Sequence, residues 1–459
     1  MDNLPIHPVL AEVAGLFASA GKEVYLVGGA IRDLLRGKKP KDWDLTTPAL
    51  PMEVIGIFRK STPKGRVIPT GIRHGTVTVY FKGEAMEITT FRAESAYSDG
   101  RRPDEVRFGV SLDEDLSRRD FTMNAAAYRL PGGPLRDPWG GAADIKKRLI
   151  RCVGNPEERF GEDGLRPLRA VRFASQLGFT IDGAALDAIP GALALTAKVS
   201  PERIKDELDR ITASPRPSAA FLLMEKTGLL ELLLPELARC RGIEQKGAHQ
   251  FDVLDHSLLA CDFAARESYS PEIRLAALLH DTGKPLTLRQ DAEGVRTFYL
   301  HEQESSRIAA EILLRFRYPK AVVERVSHLV GEHMFHYEDN WKDAAVRRFI
   351  IRAGEEYLGP LCQLRRADAY AAAGLVPPPD FLLPLQHRVE KILSENRALS
   401  LKDLAVTGRD LMALGIPQGK HLGLILRELL EAVVEDPELN TPQRLLDIAE
   451  KINRRYLKD

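Results

Sequence analysis

Cysteine is scarce in this chain of 459 residues. Cys152, Cys240, Cys261 and Cys362 are scattered, and their spacing fits neither a zinc site nor a disulfide framework. No apolar run approaches the ~18 residues of a membrane-spanning helix, so no membrane partner is expected. The opening MDNLPIHPVLAEV lacks a basic segment followed by an apolar one, and so does not read as a signal peptide. Together these absences point to a cytoplasmic protein. Net charge is absent too: 65 basic side chains balance 65 acidic ones, which removes any global electrostatic footprint for nucleic acid. Repeats and low-complexity tracts are also lacking. What remains is 44% hydrophobic and 28% charged, the balance of a globular chain whose length suggests about two to four domains.

Charge is local rather than global. Residues 59–73 (RKSTPKGRVIPTGIR) carry five basic side chains and no acidic one, and KKRLIR at 146–151 adds four more. Taken alone, such runs are solvated surface; near a site handling a triphosphate they become phosphate contacts. Residues 1–130 mix short β-rich runs (EVYLVGG, TVTVYF, AMEITTF) with helical stretches, predicting an α/β domain. The turn-rich PGGPLRDPWGGAAD (131–144) reads as a boundary. Beyond about residue 155 the periodicity is almost wholly helical. There SPERIKDEL opens with Ser200 as an expected cap before Pro201, and GLVPPPDFLLP (374–384) is expected to set off a helical tail.

Chemistry concentrates in LVGGAIRDLLRGKKPKDWDLTT (26–47) and RRDFTMNAAAY (118–128). The first predicts a strand, a glycine turn, a short basic helix, and a second strand ending in Asp42 and Asp44. Carboxylates at i and i+2 of a strand share a face, repel one another, and invite a hard cation such as Mg²⁺. Gly28 and Gly29 before a helix N-terminus let backbone N–H groups approach a phosphate. This is the composition of a metal-dependent nucleotidyl transfer site. An isolated DxD is weak, since most sit in ordinary turns; the glycine turn with Arg32 and Asp33 strengthens it. Glu87, in AMEITTF, is either a third carboxylate or an exposed strand residue. Arg32 is expected to meet the triphosphate, its competing role being an ion pair with Asp33. Arg119 lies in the same polar run as Asp120 and Asn124. The latter two, four apart, are expected on one helical face holding ribose hydroxyls, unless Asp120 merely caps a helix.

In GEDGLRPLRAVRFASQLGF (161–179), Arg166, Arg169 and Arg172 recur every three residues, share a helix face and need anionic partners. Asp163 and Arg166 supply an acceptor and a donor one turn apart. Cytosine and adenine both present an amino donor beside a ring-nitrogen acceptor, whereas uracil and guanine present the reverse. A carboxylate with a guanidinium therefore accepts C and A, and leaves G and U with unpaired buried groups. The plainer reading is an i,i+3 salt bridge. Pro167 follows Arg166 directly, which places the helix start near Glu162.

These segments, together with TGIRHGTVTVYF (70–81) and SPERIKDEL, resemble in order the successive motifs of the class II tRNA nucleotidyltransferases, the CCA-adding enzymes, across about residues 20–215. The resemblance implies a polymerase-β-like nucleotidyltransferase head, with a mixed sheet and helices (1–145). A helical neck selecting the base would follow (146–215), then a helical body (216–375) with an HD domain at about 250–370, and a tRNA-binding tail (376–459). It implies Asp42 and Asp44 as catalytic aspartates holding Mg²⁺, and Glu162, Asp163 and Arg166 as the base-reading triplet, with Glu162 holding the arginine. The substrates would be CTP, ATP and tRNA, with no nucleic-acid template. Bacterial poly(A) polymerases share the motifs, and A-adding relatives stay open. The segment 91–116 retains the length of a loop that CC-adding relatives lack. A signalling regulator with the same two domains and a non-catalytic RNA-binding protein are the more distant alternatives.

Seven of the eleven histidines lie between 249 and 336. Adjacent His280 and Asp281, with His256 upstream and Asp368 downstream, look like the metal set of the HD phosphohydrolase superfamily, for a divalent ion of unspecified identity. Lys284, His301 and His333 would meet substrate phosphate or a second metal. The competing reading is a helical body that kept the fold and lost the activity. Oligomeric state is not legible.

Overall fold

Strand alternation decides which side chains of the head enter the core and which stay available for chemistry. In this computed structural model, residues 4–61, 66–95, 105–245, 250–290, 292, 294–395 and 399–456 are described. The head strands are β1 (Tyr25–Val27), β2 (Trp43–Thr47), β3 (Arg66–Gly71), β4 (Thr76–Phe81), β5 (Glu84–Thr90), β6 (Arg92–Ser95), β7 (Glu105–Phe108), β8 (Ala127–Arg129) and β9 (Leu135–Arg136). The associated helices are α1 (Pro8–Ser19), α2 (Gly28–Leu35), α3 (Pro51–Ser61), α4 (Leu112–Ser117), α5 (Gly141–Lys147), α6 (Pro156–Glu162) and α7 (Arg166–Leu177). Seven strands form one mixed sheet in the order β3-β4-β5-β2-β1-β8-β9. Its parallel pair is β2 with β5; the other neighbours are antiparallel.

Trp43 and Leu45 of β2, Met86 and Ile88 of β5, and Val77 and Val79 of β4 point to one face. There they pack with Leu10 and Phe17 of α1 and with Phe58 of α3, all buried. Burying a side chain such as Phe58 contributes about 1.5–3 kcal/mol. The intervening residues, Asp44 on β2 and Glu87 on β5, pair directly in register and face the other way. On that opposite side the buried Asp115 of α4 hydrogen-bonds Thr46 Oγ1 at 3.4 Å. The helix α4 is itself closed by a Ser111–Glu114 capping box.

The turn-rich 131–144 segment is more than a boundary, because β9 forms an edge of the head sheet. From Pro156 onward the described chain is helical apart from two-residue strands such as Thr180–Ile181. Two compact units divide the chain: Met1–Arg239 with Ile312–Tyr318, and Cys240–Glu311 with Pro319–Asp459. The first holds the head and the helices α6, α7, Pro201–Thr212 and Pro217–Thr227. In the second, the tail carries its own core, including Leu411, Ile425, Leu429 and Leu445. Ser200 starts its helix without the expected side-chain cap; its carbonyl accepts from the Arg203 and Ile204 N–H groups instead. No described helix is long and apolar enough to cross a membrane.

Candidate active sites

The glycine turn is built for close approach. Gly28 begins α2 at φ +65°, and a Cβ there would lie 3.2 Å from Asp44 Oδ2 and 3.3 Å from Arg119 Nη1. Asp42 directly precedes β2 and Asp44 is its second residue, so the pair stands at the start of the strand rather than its expected end. Asp42 is exposed and Asp44 half-buried, with exposed Glu87 beside it on β5. Burial pushes the Asp44 carboxyl up to about 6, helped by the charges of Glu87 and Asp42 and opposed by Arg119 and Arg32. This is a set of hard oxygen donors whose mutual repulsion a dication would relieve, so the residues fit the metal the motif implies.

These residues open onto a cleft of about 1040 Å³ within the first unit. Among the described residues, twelve basic and five acidic side chains line it, which is how a chain of zero net charge acquires a basic site. The lysines come from the α2–β2 connection (Lys38, Lys39, Lys41). Among the described side chains, none of the basic residues of 59–73 or 146–151 lines the cleft; residues 62–65 lie outside the described residues.

Arg32 is buried. Its Nε donates to Asp33 Oδ1 (3.0 Å) and its Nη1 to Asn124 Oδ1 (3.1 Å). Asn124 Nδ2 donates to Asp120 Oδ1 (3.1 Å), and Arg169 Nε to Asp120 Oδ2 (2.8 Å). Burial alone would raise the Asp120 carboxyl, but Arg169 and the Asn124 bond outweigh it and hold it well below the usual carboxylate range. Asp120 and Asn124 do meet, though not on an α-helical face as expected. Residues 118–120 form a turn, and Thr122–Asn124 is a single 3₁₀ turn.

The 161–179 segment also departs from expectation. The helix does not start near Glu162. Instead α6 ends there, Asp163 is extended, and α7 begins at Arg166 with Pro167 in its first turn, where a missing N–H costs nothing. Gly164 makes the break, because a Cβ there would lie 2.6 Å from the Leu195 backbone. Asp163 and Arg166 form no salt bridge. Asp163 Oδ1 accepts from Leu165 N–H (3.0 Å) and Oδ2 from Arg203 Nη2 (2.7 Å). Arg166 donates to Glu162 and to the carbonyls of Arg159 (2.8 Å) and Arg118 (2.9 Å). The arginine row finds its anions inside the protein: Glu162 for Arg166, Asp120 for Arg169 and Glu207 for Arg172. Burial lowers the Arg172 guanidinium to about 10 despite Glu207.

Sequence reasoning missed Arg203, Glu207 and Phe173. The first two were visible only as members of SPERIKDEL. The Phe173 ring lies 3.8, 5.4 and 5.6 Å from the Arg172, Arg32 and Arg169 guanidinium carbons. Arg119 Nε is buried with no hydrogen-bond partner among the described residues. Of the 91–116 segment, residues 96–104 lie outside those described.

In the second unit, His256 comes from the helix Val253–Arg266, His280 caps the helix Pro271–Leu279, and Asp368 comes from the helix Leu358–Ala373. The four expected ligands converge. His256 Nε2 lies 3.1 Å from His280 Nε2 and 3.1 Å from Asp368 Oδ1, and Asp281 Oδ2 lies 3.3 Å from His280 Nε2. The Nδ1 atoms of His280, His301 and His333 sit 2.9, 2.8 and 2.6 Å from the carbonyls of Ala277, Phe298 and Val330, which turns each Nε2 inward as a metal-ligating histidine requires. Burial would lower His280, but Asp281 and Asp368 push it up to about 10. The negative charge that favours a proton there would equally favour a dication. Lys284 Nζ donates to Asp281 Oδ2 (2.6 Å) and Gln245 Oε1 (2.5 Å). A cavity of about 470 Å³ adjoins the cluster.

A carboxylate pair on the open face of a mixed sheet, sharing a cleft with the arginines of α7, defines a nucleotidyltransferase head, and the histidine–aspartate cluster defines an HD domain. Family models agree. Residues 24–151 match the poly A polymerase head domain, 178–240 the probable RNA and SrmB-binding site of polymerase A, and 253–373 the HD domain. A curated CCA-adding enzyme from Lactobacillus johnsonii is 35% identical over 442 residues, 95% of each chain, and one from Limosilactobacillus reuteri is 33% identical over 98% of this chain and 97% of its own. A crystal structure of the Bacillus stearothermophilus CCA-adding enzyme in complex with CTP superposes with a TM-score of 0.72 at 30% identity, covering 99% of this chain and 100% of that one. The chain belongs to the CCA-adding enzymes, the tRNA nucleotidyltransferases, and both of its catalytic folds imply divalent metal use.

Proposed function

We propose that the head and neck add C, C and A in turn to the 3′ end of tRNA from CTP and ATP, releasing pyrophosphate at each step. The observation that carries this reading is the union, in one basic cleft, of the Asp42/Asp44 pair with the Asp163/Arg166 edge. Asp42 and Asp44, with Glu87 alongside, would hold Mg²⁺, which when bound activates the attacking 3′-hydroxyl and stabilises the leaving pyrophosphate. Backbone N–H groups at Gly28 and Gly29, with Arg32, Arg119 and the 38–41 lysines, bind and orient the triphosphate. Asp120 and Asn124 tie Arg32 to Arg169 and offer acceptor lone pairs to the ribose. Asp163 accepts the exocyclic amino group of C or A while Arg166 donates to the ring nitrogen. Arg203 and Glu162 hold these two side chains in the meantime. Aligning hydroxyl and α-phosphate supplies much of the rate by itself.

We assign 1–145 as head, 146–215 as neck, 216–375 as body and 376–459 as tail, the tail gripping tRNA through phosphate and shape, in a cytoplasmic protein. The test is incorporation of the four labelled nucleotides into tRNA transcripts ending before CCA and after CC, with an unrelated RNA as control. Addition of C, C and A that then stops is expected. A-only extension, long A tails on any RNA, or no incorporation would each overturn the reading. Asp42→Ala should abolish incorporation while tRNA binding persists.

A second reading is favoured by the buried HD cluster and its adjoining cavity: hydrolysis of a phosphate ester, such as a 2′,3′-cyclic or 2′-phosphate at an RNA end. Its bound ion would act as a Lewis acid on the phosphoryl oxygen. Lys284 would meet the phosphate.

A further inference from the structure

The basic cleft continues past Arg32, and three helices carry it in the same direction. On α2, Gly28, Arg32 and Arg36 are spaced by four, share a face and all line the cleft. At about 1.5 Å per residue, Arg36 lies about 12 Å along the axis from Gly28, where Asp44 and Arg119 stand. On α7, Arg169 meets Asp120, Phe173 lies 5.4 Å from the Arg32 guanidinium carbon, and Gln176 lines the cleft one turn further on. The Phe179 ring just beyond α7 lies 5.4 Å from the Arg36 guanidinium carbon. On the helix Pro201–Thr212, Arg203 meets Asp163, Glu207 meets Arg172, and Arg210 follows one turn later. Arg36, Gln176 and Arg210 therefore stand together at the end of the cleft remote from Asp163. Their bonding capacity is only partly used. Arg36 lies 3.6 Å from Asp33, a carboxylate that Arg32 holds at 3.0 Å. Arg210 lies 3.5 Å from Glu207, which already carries Arg172, and its side chain is 58% exposed. Gln176 Oε1 accepts from Arg172 Nη1 (2.6 Å), which leaves its amide N–H groups to donate. Lys38 and Lys39 are exposed on the adjoining wall.

We propose that Arg36, Gln176 and Arg210 form a pyrophosphate subsite, distinct from the triphosphate contacts, that receives the leaving group after each addition. The order of the cleft is the order of a nucleotide. The base belongs at Asp163 and Arg166, the ribose at Asp120 and Asn124, the α-phosphate beside Gly28 and Asp44, and the β- and γ-phosphates at Arg32. A group departing beyond the γ-phosphate meets Arg36 and Arg210 next. In the transfer, the 3′-oxygen bonds to the α-phosphorus as the bond from that phosphorus to the α,β-bridging oxygen breaks. The electron pair stays on the bridging oxygen, and the hydroxyl proton passes to solvent. The pyrophosphate thereby gains the negative charge of that oxygen, which draws it toward cations that are only loosely paired. Guanidinium groups suit it, because their paired N–H donors match phosphoryl oxygens. The proposal rests on the nucleotidyl transfer reading, which fixes where the α-phosphate sits.

The test is inhibition of CTP incorporation by added pyrophosphate, measured on the full chain with Mg²⁺ beside the KM values for CTP and tRNA. In Arg210→Gln and in Arg36→Gln the inhibition constant for pyrophosphate should rise about tenfold or more, as loss of a charged hydrogen-bond donor implies. Both KM values should stay at those of the parent. Arg210→Lys, which keeps the charge, should recover most of the affinity. Arg210 is exposed, so its variants should melt with the parent even if Arg36→Gln does not. Equilibrium dialysis of labelled pyrophosphate against the enzyme without CTP or tRNA reads the same site without turnover. A KM for CTP that rises in step would make Arg210 part of the triphosphate site. A rise in the KM for tRNA alone would make it an RNA-backbone contact, and unchanged constants would leave no site; each of these overturns the proposal. A parent that incorporates nothing yet binds pyrophosphate through Arg210 would overturn the transfer reading and keep the anion site.

Discussion

The Asp163 carboxylate accepts hydrogen bonds from Leu165 N–H and from Arg203, and meets the arginine three residues on only through its backbone carbonyl, which accepts from Arg166 N–H. Its orientation therefore depends on a residue forty positions away. Hydrogen bonds to a charged group are worth about 1.5–3 kcal/mol, so Arg203→Ala should cut discrimination of CTP over UTP by about 10–100-fold with less effect on total incorporation. The ratio of kcat/KM values measures it, and Asp163→Ala sets the upper limit of the loss. Asp115 gives a pH test that reads stability. Burial alone would raise its carboxyl, but Arg118 and Arg119 hold it below the usual range. A depressed folded value means stability that is present above the unfolded value of about 3.9 and lost as pH falls toward the folded one. Asp115→Asn should cost about 1–3 kcal/mol at pH 7. Thermal melts of variant and parent should converge on acidification below about pH 4. Melts that stay parallel there would refute the pairing.

At the scale of the element, the glycine turn and the α6–α7 break carry the site. Gly28→Ala would force a Cβ into left-handed backbone, at about 1–2 kcal/mol, and against Asp44 and Arg119. Its cost should appear as a modest fall in melting temperature and a much larger fall in incorporation. Equal losses in both would show a purely structural role. The strand–turn–helix–strand order around Asp42 and Asp44 was legible, because glycine before an amphipathic helix and alternating apolar residues are local signals. The start of α7 was not. Proline after Arg166 permits a helix beginning at either place, and the choice was made by Gly164 against Leu195, a contact across the fold. Asp120 and Asn124 misled for a similar reason. A spacing of four suits an α-helix, but here the residues meet across a 3₁₀ turn, tied by Arg32 and Arg169.

Across the whole molecule, the carboxylate site of the head and the histidine–aspartate cluster reside in separate compact units. Sites without shared partners behave additively. His280→Ala or Asp281→Ala should therefore leave CCA addition at the parental rate while abolishing HD-site metal binding and any phosphate-ester hydrolysis. Primer-extension rates beside metal counts would check this, and a joint loss would reveal coupling between the units. Zero net charge conceals a cleft that, among the described residues, twelve basic and five acidic side chains line. A sum over the chain cannot show this, since it discards position.

By itself the sequence determined the fold class, the family, the carboxylate pair and the histidine–aspartate set. Each depends on short-range spacing or on motif order, which the chain carries in one dimension. Tertiary structure alone decided that Asp44 meets Glu87, that Arg203 and Glu162 hold Asp163 and Arg166, that Asp120 and Glu207 satisfy the arginine row, and that the two oxygens of Asp281 face different histidines. Those pairings join residues far apart in the chain, and which partner a buried charge obtains is settled only by what packs beside it.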